Sequence, residues 1–356
     1  MTQVTTKRNS AMEILRILAM FLIIISHYVN HGTNLTPDNS FNGILFTLFY
    51  SGNIGTVIFV LISGYFLINS KINPKKVFTL ISQVIFYSIS IYLLCVGLSV
   101  EQFSVKNALT AFFPTSFSLY WFFTTYIVMY VLSPFINKFL NSISKTTHRN
   151  VILTTVILWI ILPTLTLQNF AGNELALFFT LYVTGAYMRK YPQNIITAKR
   201  RDVIIIIVSI LILAVSAISV IMLFPSYAKY STLLYSRNSV VVFALSVALI
   251  SFFSKLKPFY SGALNTVAGS CFGIYLIHDN KFFKDFMWRE IFKTSGFENS
   301  NYMILHMFSC AIIIFAAGFV IEFMRRKIIE KPLLILFDKA YNKLEPKLIA
   351  LKNKKD

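Results

Sequence analysis

Along the chain, apolar residues fall in runs close to 20 residues long, separated by short stretches that hold most of the charge. A helix needs about 20 mostly apolar residues to cross the hydrocarbon core of a bilayer. Ten stretches meet or approach that length: 11–30, 43–68, 77–98, 118–137, 150–168, 174–189, 203–224, 234–254, 263–279 and 303–324. The sixth and ninth are short and carry more polar residues. The pattern predicts an all-α, polytopic membrane protein of about ten transmembrane helices. They form a single domain, 1–330, followed by a basic tail, 331–356. The first run is not a cleaved signal peptide, because it holds Glu13 and Arg16 and lacks a small-residue cleavage site.

Composition agrees with lipid as the solvent. Hydrophobic residues make up 56% of the chain and charged residues 13%, and the mean hydropathy is +0.66. A soluble domain of this size has too much surface to hide so many apolar side chains. The net charge of +19 does not point to nucleic acid, since the bases sit in short clusters between apolar runs rather than in an aromatic-interleaved basic stretch. With the N-terminus inside, most of them face the cytoplasm, including Lys71, Lys75, Lys76, Arg189, Lys190, Arg200, Arg201 and the bases from Arg325 onward. Lys106, Lys229, Lys281, Lys284, Arg289 and Lys293 are left outside. This bias predicts a multi-pass protein of the cell membrane with both termini in the cytoplasm and a tail that lies against anionic lipid headgroups. Segment 280–302, with Phe282, Phe283, Phe286, Trp288 and Phe292 near helical spacing, reads as an external amphipathic helix in the membrane interface. Cys95, Cys271 and Cys310 all lie in apolar runs and suggest packing rather than a disulfide framework.

Ionisable residues inside a membrane are costly and mark candidate functional sites. The first helix has three: Glu13, Arg16 and His27. Eleven residues return a helix to within roughly 20° of its starting direction, so Arg16 and His27 share a face, about 16 Å apart along the axis. Glu13 is placed to pair with Arg16 at i,i+3. The competing reading has Arg16 snorkelling to headgroups and His27 satisfying a carbonyl. His31, one turn on, reads as interfacial.

This R-x10-H pattern resembles the acyltransferase-3 family of integral membrane O-acyltransferases. The resemblance continues in IFVLISGYFL (Ile58 to Leu67), YWFFTTYIVMYVLSP (Tyr120 to Pro134) and FGIYLIH (Phe272 to His278), four segments in order along the chain. It implies transfer of an acyl group, acetyl by default, from cytoplasmic acetyl-CoA to a hydroxyl of a surface polysaccharide or lipid-linked glycan. His27 would be the general base and Arg16 would position the donor, held by Glu13. Either direct transfer or an acyl-enzyme would serve. Many members carry R-x-x-R after the second helix. This chain has SKINPKK there, so Lys71, Lys75 and Lys76 either hold coenzyme phosphates as point charges or are ordinary cytoplasmic lysines.

The remaining candidates each have two readings. His278 assists the acceptor or caps its helix. Tyr120 and Trp121 stack on a sugar or belong to an aromatic belt. Arg237, in the outer part of the eighth helix, contacts glycan or anchors at the interface. Glu330 is expected to pair with a nearby base, and Gly269 and Gly273 to mark a close helix contact. No metal is expected, because no His, Asp or Glu cluster has ligand spacing along the chain. The chain ends soon after its last helix, which suggests that it acylates its acceptor directly. Oligomeric state stays open. A transporter or flippase of a lipid-linked sugar is the alternative, although no pair of broken helices suggests inverted repeats. A non-catalytic sensor or scaffold is a third reading.

Overall fold

The computed structural model describes residues 9–38, 40–166, 174–192 and 195–352. Among the described residues there are helices and connecting turns and no strands. Helix α1, Ser10–His27, begins where the Asn9 side chain accepts a hydrogen bond from the Ala11 N–H at 3.1 Å, and it runs on into a π-turn at Tyr28–Gly32. Helices α2 (Phe41–Leu48) and α3 (Gly52–Leu67) follow, then α4 (Pro74–Gly97), α5 (Val105–Phe112) and α6 (Trp121–Ser142). Next come α7 (Lys145–Val156), continued by a π-turn into α8 (Leu162–Thr166), and α9 (Glu174–Lys190). After α10 (Ile195–Leu223), α11 (Val240–Ser254) and α12 (Gly262–His278), a short α13 (Lys284–Phe286) leads to α14 (Met303–Arg325). A π-turn joins α14 to α15 (Lys331–Lys352).

Seven helical stretches among the described residues are long and apolar enough to cross a membrane, so the chain is a polytopic all-α protein. The other three predicted segments are α6, α9 and α12. Helices α9 and α12 have 17 residues each, which span about 26 Å, just under the usual hydrocarbon thickness of about 30 Å. The predicted run 43–68 is broken into α2 and α3 at Phe49–Ser51. Run 234–254 also changes: α11 starts only at Val240, so Arg237 sits in the lead-in before the Ser239 N-cap rather than in a helix. Residues 167 and 168, at the end of the fifth run, lie outside the described residues.

Helix α1 is central and packs against α3, α11, α12 and α14. The closest backbone approach is between α3 and α9. A Cβ on Gly64 would stand 2.1 Å from the Tyr182 carbonyl oxygen, and one on Gly185 would stand 2.2 Å from that of Leu61. With no side chain at either place, the two backbones meet directly. Gly269 and Gly273 serve the expected close contact between α12 and α14, and they make room for charge: a Cβ on Gly273 would meet Glu322 Oε2 at 2.5 Å. Glu322 is fully buried. It accepts from Arg325 Nε at 2.8 Å, Arg326 Nε at 2.8 Å and the Tyr87 hydroxyl at 2.8 Å. Glu330 pairs with Arg325. Buried charges persist only when paired and hydrogen-bonded in this way.

One peripheral segment folds otherwise than its sequence suggests. Segment 280–302 is no interfacial amphipathic helix: Phe282, Met287 and Trp288 are buried, and Trp288 packs edge-on against Tyr28. Its aromatic residues serve the bundle core rather than lipid, because the segment plugs the end of the bundle where α1 stops. The basic tail forms α15, which docks on α4 through Lys75–Asp338 at 2.5 Å and through Phe337 stacked on Phe78 at 4.5 Å.

Candidate active site

Two cavities meet at the His27 end of α1. The first, about 290 Å³, is lined by Arg16, Phe66 and Lys76 at one end and continues past Tyr126 and Tyr275 to His27 and Asp279. The second, about 310 Å³, is lined by His27, Asn30, His31, Asn53, Arg237 and Lys284, among others. Both share Ile23, His27, Thr56, Trp121 and Asp279. The common face of Arg16 and His27, set by their spacing, is therefore a cavity wall. A larger cavity of about 680 Å³, between Tyr65, Tyr191, Asp202 and Phe243, lies away from both histidines.

At the first cavity's entrance, Glu13 is fully buried and accepts a hydrogen bond from the Arg16 guanidinium, as the i,i+3 spacing predicts. The guanidinium carbon stands 5.2 Å from the centre of the Phe66 ring. The three lysines of SKINPKK separate here. Lys76 lines the cavity and lies over Tyr130 at 5.0 Å, Lys75 is engaged by Asp338, and Lys71 is exposed, away from the cavity lining. One turn of helix directs neighbouring lysines to different partners.

Where the cavities meet, α12 delivers His278 to His27, with His278 Nε2 and His27 Nδ1 3.1 Å apart. His278 Nδ1 is 2.7 Å from the Ile274 carbonyl oxygen. A carbonyl only accepts, so Nδ1 of His278 carries the proton. In the neutral ring Nε2 is then an acceptor. His27 must donate from Nδ1, which leaves Nε2 of His27 as an unprotonated base. His278 is thus neither a cap nor an acceptor contact in this arrangement but the group that orients His27.

Asp279 Oδ1 is 3.9 Å from His27 Nδ1, and the His31 ring lies 4.9 Å from that of His27. His31 thus lines the site instead of the membrane interface. His27, His31 and Asp279 bring ligand atoms within 4.8 Å of one another, close enough to share a metal ion. Linear spacing concealed the group, since Asp279 comes from a distant helix. Arg237, Lys281 and Lys284 line the same cavity and oppose a divalent cation there. Tyr275 lines the cavity that also holds Arg16 and His27, with its hydroxyl buried beside the Phe122 backbone.

The aromatic pair at the start of α6 divides. Trp121 is 37% exposed and faces both cavities, with the Arg237 guanidinium 4.2 Å over its ring and paired to Glu174 at 3.1 Å. Tyr120 is buried, so it is no platform for a sugar. Its hydroxyl donates to the Leu276 carbonyl at 2.9 Å and accepts from Asn280 at 2.7 Å. It holds the end of α12, and so His278, in place.

The fold and site define a polytopic membrane protein with a paired-histidine centre reached from both ends of its helix bundle. The family profile described as an acyltransferase domain matches residues 9–323, and the chain belongs to that acyltransferase-3 family: it is a membrane acyltransferase. Comparison with curated proteins and with solved structures returns no match.

Proposed function

We propose that the protein transfers an acetyl group from cytoplasmic acetyl-CoA to a hydroxyl of an extracytoplasmic surface polysaccharide or lipid-linked glycan. The observation that carries this reading is the meeting of the two cavities at His27. One admits the donor from the cytoplasmic end past Arg16 and Lys76, and the other admits the acceptor from outside. Neither substrate has to cross the membrane.

The acceptor hydroxyl gives its proton to His27 Nε2 as its oxygen attacks the thioester carbonyl. The C–S bond breaks, and the thiolate of coenzyme A recovers that proton from the imidazolium. The partner His278 and the Asp279 carboxylate stabilise the charged ring in between. Tyr275, on the same cavity, would donate its hydroxyl to the oxyanion of the tetrahedral intermediate. Among the described residues, His27 hydrogen-bonds His278 and no serine, threonine or cysteine, which favours direct transfer over an acyl-enzyme. Arg16, fixed by Glu13, and Lys76 supply positive charge for the coenzyme arm.

The test compares glycan-bound acetyl in cells carrying wild type, His27→Ala and Arg16→Ala, with membrane abundance measured for each. Loss of acetyl in both variants at normal abundance is the expected result. Acetyl unchanged in every strain, including a deletion, would overturn the reading and return attention to sugar transport.

A further inference from the structure

The cavity on the acceptor side holds more positive charge than membrane topology accounts for. Bases are disfavoured on the outer side of a membrane protein, yet Arg237, Lys281 and Lys284 line this cavity against one acid, Asp279. Arg237 is committed to Glu174 and to the face of Trp121, so it forms part of the wall. Lys284 also lines the cavity, and its Nζ is 3.9 Å from Asp279 Oδ1, an ion-pair contact too long for a hydrogen bond. Lys281 is exposed and lies over the Phe282 ring at 5.2 Å.

These lysines stand on a fixed ledge. Trp288 behind them is fully buried against Tyr28, Thr294 hydrogen-bonds the Gly32 carbonyl, and Asn280 is tied to Tyr120 at 2.7 Å. Ordered bases around a cavity mouth favour an anionic ligand, because they raise its local concentration and hold it by charge-assisted hydrogen bonds. A neutral sugar would be better served by open aromatic faces, and one face of Trp121 is already covered by Arg237.

We infer that the acceptor is an anionic glycan, one in which the acylated sugar or its immediate neighbour bears a carboxylate or a phosphate held by Lys281 and Lys284. This inference rests on the proposed acetyl transfer to a surface glycan.

The test labels cells with radioactive acetate and isolates surface glycans from strains carrying wild type and His27→Ala. The material is fractionated on an anion exchanger at neutral pH. The expected result is that the label lost in His27→Ala is retained on the exchanger. Hydrofluoric acid, which cleaves phosphodiesters, and carbodiimide-mediated reduction, which neutralises carboxylates, then report which anion is present. His27-dependent label in the neutral flow-through would overturn this inference while leaving acetyl transfer standing. Absence of His27-dependent label from every fraction would overturn the transfer itself, and the inference with it. As a second arm, Lys281→Gln/Lys284→Gln is expected to lower incorporation about tenfold at unchanged membrane abundance, as for loss of a charge-assisted hydrogen bond. Wild-type incorporation in that variant would also overturn the inference.

Discussion

At His27 the tautomer is decided two steps away. The Ile274 carbonyl accepts a hydrogen bond from His278 Nδ1–H, and His278 Nε2 in turn accepts one from His27 Nδ1–H. On the proposed mechanism, His278→Ala should therefore lower acyl transfer about 100-fold, within the usual range for a general-base contribution. His278→Gln, whose amide oxygen can accept from His27, should retain more activity than the alanine variant when assayed in membranes with matched protein levels. Tyr275→Phe should lower transfer about 100-fold if its hydroxyl donates to the oxyanion. It should change the melting temperature in detergent little, because a single buried hydroxyl contributes only about 1 kcal/mol. The Glu13–Arg16 pair and the shared face of Arg16 and His27 were legible in the sequence, since both follow from spacing within one helix. The link to His278 was not, because it depends on how α12 lies against α1. The same holds for Asp279, and for Tyr120, whose burial no local pattern reveals.

Helices in this bundle meet through small residues and bury their charges at the same contacts. Gly64→Ala should destabilise the protein by about 1–3 kcal/mol, the usual cost of overpacking, because the new Cβ would collide with the Tyr182 carbonyl. Glu322→Ala leaves Arg325 buried without its main partner and should cost about 3–5 kcal/mol. Thermal unfolding in detergent checks both. At this scale the hydrophobic runs located the helices well, and the Gly269/Gly273 spacing correctly indicated a close contact. They missed the break between α2 and α3, where Phe49 and Tyr50 carry the apolar run through the turn, and they overran the start of α11 by taking in the polar Ser236, Arg237, Asn238 and Ser239 ahead of it. Segment 280–302 misled for another reason. An aromatic stripe looks alike whether it faces lipid or the core of its own bundle.

For the whole molecule, the charge bias predicts an orientation, and on the proposed reading the Arg16 end of the first cavity then faces the cytoplasm. Single cysteines substituted at Lys71 and Lys293, in a background lacking Cys95, Cys271 and Cys310, should react with a membrane-impermeant maleimide from opposite sides. Lys293→Cys should label in intact cells, and Lys71→Cys only after the membrane is opened. Labelling of both in intact cells would reverse or invalidate the topology. The membrane class and family were readable from the chain alone. The paired cavities were not, because a void belongs to no single helix and forms only where several of them fail to touch.

Those cavities have a consequence for the cell's energy supply. A protein hollowed from both faces is separated from being a pore only by the side chains at the junction. Here the junction is Ile23, His27, Thr56, Trp121 and Asp279, which on the proposed reading must hold back protons and sodium ions while a small acyl group changes hands. On the proposed reading the same residues are catalyst and gasket, and a substitution there answers to the membrane potential as well as to acyl transfer.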